Sequence, residues 1–359
     1  MKLKLRENCK YGVAAPTSMG VRICPPNGAP VHTSNVYYMQ STSAESNAVN
    51  IASSLGIKGL VLANFVQDSP ISYFIKSELR RRNIDYIGPD IPQGGPWGYR
   101  HQFNIADSGY GARGPRVHND RAGEVGRILN PKDFDFEKIF GDDGVQILHL
   151  SGLIGAMSPD TTRFCIEAAR AAKKHGTRIS FDLNHRASFW EGREEELRAG
   201  FTEMVGMTDI LIGNEEDYQL CLGIKGPLEG GMDLSAQIDA FKEMIGLIKE
   251  AFPNASIFGN TLRQVISVGE HMWGAITLFG DTWTVIEPRP IQVLDRIGGG
   301  DGFSGGLLYG VLKGMEPEKA TQFGWASGAL ATTILEDYAT PVDEDMVWSI
   351  YKGNARVKR

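Results

Sequence analysis

Apolar residues fall into short, nearly unbroken runs through the middle of the 359-residue chain, and between the runs they recur every three or four positions. The runs at 145–152 (VQILHLSG), 178–184 (RISFDLN) and 209–214 (DILIGN) predict strands buried on both faces, and 255–260 (ASIFGN) and 264–268 (QVISV) read as two more. The intervening TTRFCIEAARAAKKHG places Phe164, Ala168, Ala169 and Ala172 on one face, carries Lys173 and Lys174 in its last turn and stops at Gly176. That pattern predicts an amphipathic helix with a glycine just past its end. Strand and helix in alternation predict an α/β fold with a mainly parallel central sheet flanked by helices.

Two stretches break the rhythm. Residues 28–42 and 94–120, rich in Gly, aromatic and β-branched residues, read as strands of a small separate sheet, a lid inserted in one domain spanning 1–359. Residues 13–25 (VAAPTSMGVRICP) read as a single first strand. In open α/β sheets ligands bind beyond the carboxyl ends of the strands, which directs attention to Ser151, Asp182, Asn184, Arg186, Asn214 and Asp301.

Composition narrows the function classes. At 42% hydrophobic the chain can bury a large core, and its formal net charge of -6 leaves no surplus of Lys and Arg to neutralise a nucleic acid. Cys9, Cys24, Cys165 and Cys221 lack C-x-x-C spacing and predict buried, reduced thiols. No apolar run follows the basic MKLKLRENCKYG, and none approaches the ~18 residues of a membrane span, so a cytoplasmic protein without a membrane partner is expected.

The densest chemical signal is DRIGGGDGFSGGLLYG at 295–310, where six glycines from Gly298 to Gly306 surround Asp301. Gly300, Gly302 and Gly305 match G-x-G-x-x-G, but the following residues read as helix where a dinucleotide site needs a second strand. A carboxylate inside that loop would also repel a pyrophosphate. The P-loop pattern G-x-x-x-x-G-K-[ST] is absent. Packing alone would explain the glycines, because Phe303, Leu307, Leu308 and Val311 form a helical apolar face, yet it leaves Asp301 unexplained. A turn at Gly298, Gly299 and Gly300 into a helix starting near Asp301 explains both. Its unpaired N–H groups and the helix dipole form an anion hole for a phosphoryl group, and Asp301 accepts the proton of an attacking hydroxyl.

This stretch resembles the late signature of the ribokinase-like (PfkB) carbohydrate kinases, D-T-x-G-A-G-D, with Arg296 in place of Thr and Gly299 in place of Ala. SAESNAVNIASSLG at 43–56 is similar to the family's early G-G-A-x-x-N motif, and NEED at 214–217 to its N-x-x-E element, with Asp217 in place of Glu. HNDRAGE, FDLNHRASFW and NTLRQVIS look most like 2-keto-3-deoxygluconate kinases. The resemblance implies a sheet-and-helix core with a β lid, Asp301 as catalytic base, and Gly298, Gly299 and Gly300 as the anion hole. It places Asn47 and Ser43 in the sugar site, Arg121 and Arg186 on a sugar carboxylate, and Asn214, Asp217 and Arg263 at the nucleotide. ATP and Mg2+ are the implied cofactors, the metal held by ATP and water with no direct protein ligand, and a monovalent cation is a further candidate. An exposed lid sheet offers strand edges to another subunit, so a homodimer through the lid sheet is the expected assembly.

Each arginine also has a plainer reading, Arg186 as half of a structural ion pair and Arg121 as part of a solvated basic face with Arg100, Arg113, Arg116 and Arg127. Asp182 and Asn184 are either channel-lining or turn-capping. His149 and His185 read as packed residues. The chain departs from the family at Thr42-Ser43, where twin glycines stand, at Ser18, where the first strand carries an acid, and at Asn119, where a Tyr stands. All three lie toward the sugar. The expected activity is therefore ATP-dependent phosphorylation of a small sugar acid, 2-keto-3-deoxygluconate first among them. A kinase for a neutral sugar such as fructose or ribose and a non-catalytic sugar-binding homologue are the alternatives.

Overall fold

The computed structural model describes residues 2–227 and 238–353. Its main sheet runs Ile84–Ile87, Gly59–Leu62, Tyr11–Pro16, Val145–Ser151, Arg178–Asp182, Ile210–Gly213, Ile257–Ser267, Glu270–Phe279, Thr282–Gln292. The first seven strands are parallel and the last two complete the edge antiparallel. The runs expected at 255–260 and 264–268 are one strand, Ile257–Ser267, because it pairs along its length with Glu270–Phe279. The polar Asn260, Thr261 and Arg263 interrupt its apolar pattern.

Helices cover both faces, each over its own apolar cluster. Pro159–Lys174 starts where Ser158 and Thr161 exchange capping hydrogen bonds, buries Phe164, Ala168, Ala169 and Ala172 as the periodicity predicts, and ends before Gly176 at φ 78°. Opposite it, Gly299–Leu312 packs between Ala44–Ser54 and Pro317–Ala331. A Cβ at Gly305 would lie 2.4 Å from the Ala48 carbonyl oxygen, so side-chain-free positions on this helix permit backbone contact. Among the described residues no helix is long and apolar enough to cross a membrane.

The lid is a four-stranded sheet in the order Tyr38–Thr42, Gly20–Cys24, Phe103–Asp107, Arg116–Asp120. The single strand expected over 13–25 is instead two. Tyr11–Pro16 belongs to the main sheet and Gly20–Cys24 to the lid, because beyond the Thr17 N–H to Leu62 carbonyl bond (2.9 Å) the chain leaves its neighbour. Within 28–42 only Tyr38–Thr42 is strand, since Pro25, Pro26 and Pro30 open short 3-10 turns at Pro26–Gly28 and Val31–Thr33. Residues 94–102 likewise form no strand.

Candidate active site

A cleft of about 990 Å3 lies between the carboxyl ends of the parallel strands and the lid, within the range of small-molecule sites. Its floor is the glycine turn. Gly298 adopts φ 83°, and a Cβ there would sit 1.9 Å from the Asp337 carbonyl oxygen, so only glycine fits. The helix starts at Gly299, two residues earlier than expected, and no side chain caps it. Its first N–H groups are therefore available to an anion. Gly298, Gly300 and Asp301 line the cleft, whereas Gly299 is buried against Thr332 and contributes through its main chain.

Asp301 accepts a hydrogen bond from Asn47 Nδ2 at 2.9 Å. Burial pushes its carboxyl up to about 8; Asp182 and Asp337 add to the shift, while the Asn47 hydrogen bond and Arg186 oppose it. A carboxyl with so high a proton affinity suits proton abstraction from a hydroxyl better than an ordinary aspartate.

Asp182 ends its strand level with Ser151 on one side and Ile212 on the other. It accepts from Ser304 Oγ at 2.9 Å and is raised to about 7, by burial first and then by Asp217. Asn184, at φ 37°, turns the chain toward Arg186 and donates to Ser151 Oγ at 3.2 Å. Asn214 caps the helix Glu215–Leu222, accepting from the Asp217 N–H at 2.8 Å. Both Asp217 oxygens accept from main-chain N–H groups, Asn214 at 2.9 Å and His185 at 2.8 Å. Asp217 borders the cleft, but these bonds make it a brace between two loops.

On the sugar side, Ser43 Oγ caps Ala44–Ser54 by accepting from the Ser46 N–H at 3.1 Å, and Thr42 Oγ1 donates to Asp337 at 2.6 Å. The two side chains that replace glycines are thus turned onto structural partners while still lining the cleft. Arg121 pairs with Glu124 through both carboxylate oxygens, at 2.9 and 3.0 Å, and lies over the Phe189 ring. The same Glu124 accepts from Ser18 Oγ at 2.6 Å, so the acid missing from position 18 stands directly across from it. Arg186 is exposed to the cleft and donates only to the His185 carbonyl; among the described residues no carboxylate lies within ion-pair distance of it. Arg186 thus acts on Asp301, Asp182 and Asp217 only through its charge and at no contact distance, whereas Arg121 is paired directly with Glu124.

At the other end, Arg263 and Arg296 both line the cleft. Arg263 is open at the rim, yet the surrounding protein first, and then the like charge of Arg296, lower it to about 10. Two crowded guanidiniums beside an uncapped helix start suit a polyphosphate.

These features, a carboxylate, an anion hole and paired arginines at the carboxyl ends of a parallel sheet, coincide with one family in comparison with known proteins. The model of the pfkB family carbohydrate kinases matches residues 132–340. The chain belongs to that family. A 2-dehydro-3-deoxygalactonokinase of Haloferax volcanii is 24% identical over 344 residues, 94% of this chain and 96% of its own. A 5-dehydro-2-deoxygluconokinase of Clostridium perfringens is 31% identical over 203 residues, 56% of this chain and 53% of its own. The crystal structure of 2-dehydro-3-deoxygluconokinase from Thermotoga maritima superposes with a TM-score of 0.83 at 25% identity, covering 96% of this chain and 98% of that one. The PfkB chain is a phosphotransferase acting on a sugar hydroxyl.

Carbohydrate kinases of this family use ATP and Mg2+. The uncapped turn and the two arginines fit the nucleotide's phosphates. Glu215 and Glu216 border the cleft beside Asn214 with oxygen atoms of the kind Mg2+ takes. Sequence reasoning missed Gln102, Asn104, Phe189, Trp273 and Asp337 as cleft residues. Phe189 lies within the FDLNHRASFW stretch and Arg296 is a substitution in DRIGGGD, whereas Gln102, Asn104, Trp273 and Asp337 carry no local signal.

Proposed function

We propose that the protein is an ATP-dependent kinase that transfers the γ-phosphate to a primary hydroxyl of a small sugar acid, 2-keto-3-deoxygluconate or a close relative. The observation that carries this reading is Arg186, a cation on the sugar side of the cleft with no carboxylate of the described protein to pair with. A substrate carboxylate supplies that partner through two parallel hydrogen bonds. The names of the three similar proteins, each a kinase of a dehydro-deoxy sugar acid, support it. Pairing of Arg121 with Glu124 keeps a neutral-sugar kinase as the second reading, since it leaves one unpaired arginine rather than two.

Asn47 orients Asp301, which accepts the hydroxyl proton as the sugar oxygen attacks. Main-chain N–H groups of the Gly298–Gly300 turn stabilise the charge on the transferring group, and Arg263 and Arg296 hold the nucleotide end. Bound Mg2+ would neutralise the β- and γ-phosphate oxygens, from the side bordered by Asn214, Glu215 and Glu216. The enzyme works in the cytoplasm as one catalytic domain. Its lid, which exposes Val36, Tyr38, Met39 and Val117, pairs with a second copy.

The test is ADP release from ATP and Mg2+ across keto-deoxy sugar acids, aldonates and neutral sugars, with Asp301→Asn alongside. Turnover on a keto-deoxy acid should fall at least about a thousandfold in the variant. Preference for a neutral sugar would overturn the substrate class, and tight sugar binding without ADP release would overturn the kinase.

A further inference from the structure

One row of side chains crosses all four lid strands in register: Gln40 lies opposite Arg22, Arg22 opposite Asn104, and Asn104 opposite Asn119. Residues opposite each other in a sheet share a face, and the row divides in two by what it meets. Asn104 and Asn119 line the sugar side of the cleft. Arg22 and Gln40 grip the protein behind the glycine turn. Arg22, fully buried, forms ion pairs with Asp295 and Asp337. Gln40 donates to the Leu335 carbonyl at 3.1 Å and accepts from the Asp337 N–H at 2.9 Å.

The Asp295 carboxylate and the Asp337 main chain both reach the phosphate turn. Asp295 accepts from the Ile297 N–H at 3.0 Å, one residue before Gly298, and from Ser108 Oγ of the lid at 2.7 Å. Asp337 presses its carbonyl against Gly298 and accepts from Thr42 Oγ1 at 2.6 Å. The root of the lid is thus hydrogen-bonded to the turn through Asp295 on one side and, through Asp337, packed against Gly298 on the other.

We propose that Arg22 is a positioning residue for phosphoryl transfer: by bridging Asp295 and Asp337 it fixes the lid's substrate-facing row at a set distance from the N–H groups of the Gly298–Gly300 turn. The bridge suits a guanidinium, whose rigid fork holds its donors toward two carboxylates in a fixed geometry that a compact ammonium on a flexible stem does not keep. Substrate and phosphate thereby keep their separation through contacts that touch neither. A displacement of about 1 Å at such a site costs about a hundredfold in rate.

The inference rests on the kinase reading, and Arg22→Lys tests it. The expected result is a fall in kcat of about a hundredfold, with KM for sugar and for ATP changed less than about threefold. A lowered Tm with unchanged kcat in the folded fraction would make the cluster a prop and overturn the proposal. Should Arg22→Lys not fold, Ser108→Ala, which removes one hydrogen bond from Asp295 and leaves the ion pairs, decides instead: a several-fold lower kcat at constant KM supports it, and parent kcat overturns it. If the parent itself releases no ADP with any sugar, the kinase reading fails separately. The inference then falls with it, whereas an active parent whose Arg22→Lys variant keeps the parent kcat overturns the inference alone.

Discussion

The two ends of the cleft are built on different principles. In the proposed reading, the working groups at the phosphate end are main-chain N–H donors at Gly298–Gly300 and one carboxylate, all within a few residues on a single helix start, and those at the sugar end are side chains. These side chains, Asn47, Asn104, Asn119, Arg121 and Arg186, are brought from a helix, two lid strands and two loops. A site made of backbone tolerates little sequence change, because a Cβ at Gly298 collides with Asp337 whatever the side chain. A site made of side chains changes residue by residue while the fold stands still, and Ser18, Thr42, Ser43 and Asn119 are such changes. Chemistry is fixed at one end and selectivity is adjustable at the other.

The largest effect that would sharpen this contrast is a pH dependence confined to the phosphate end. Asp301, raised to about 8, must be ionised to accept a proton, so kcat/KM climbs about tenfold per pH unit below that value and levels above it. From pH 6 to 8 the gain is about fiftyfold, read by ADP release at subsaturating ATP and sugar so that the free enzyme is reported. A profile flat across that range would place the proton acceptor elsewhere. At the sugar end a smaller effect is expected. Arg186→Met should raise KM for a keto-deoxy sugar acid roughly tenfold to a hundredfold and leave neutral sugars unaffected. Equal losses on both would make Arg186 a structural residue and dissolve the distinction.

The same contrast explains what the sequence made legible. The buried strands and the helix at Pro159–Lys174 followed from apolar periodicity, and Asp301 with its glycines followed from a contiguous motif. Strands Gly59–Leu62 and Ile84–Ile87 were not read, although Ile210–Gly213 is equally short; in Ile84–Ile87 the polar Asp85 breaks the apolar run. Thr17-Ser18-Met19 looked like strand because β-rich residues flank it on both sides; only the transfer of hydrogen bonds from Leu62 to the lid shows the break. Asp337 could not be found at all. Its role comes from the side chains of Arg22 and Thr42, 315 and 295 residues away in sequence, and no local pattern encodes that proximity.

The smallest effect tests whether the sugar end can be rewritten without loss. Ser18 and Glu124 share one hydrogen bond at 2.6 Å, and the same carboxylate holds Arg121. The space is tight, since a Cβ on Gly126 would fall 2.0 Å from Ser18 Oγ, so the pair admits one carboxylate. Glu124→Ser leaves Arg121 unanchored and should lower kcat/KM on the sugar acid about tenfold, while Ser18→Glu sets two carboxylates against each other and should destabilise the fold. The double variant moves the carboxylate to the connection between Tyr11–Pro16 and Gly20–Cys24 and keeps its charge beside Arg121, so activity should return to within about threefold of the parent. Recovery would mean that the acid matters and its address does not. A double variant as weak as Glu124→Ser would mean that Arg121 is positioned by the backbone around Glu124, and the sugar end would then be less adjustable than its scattered construction suggests.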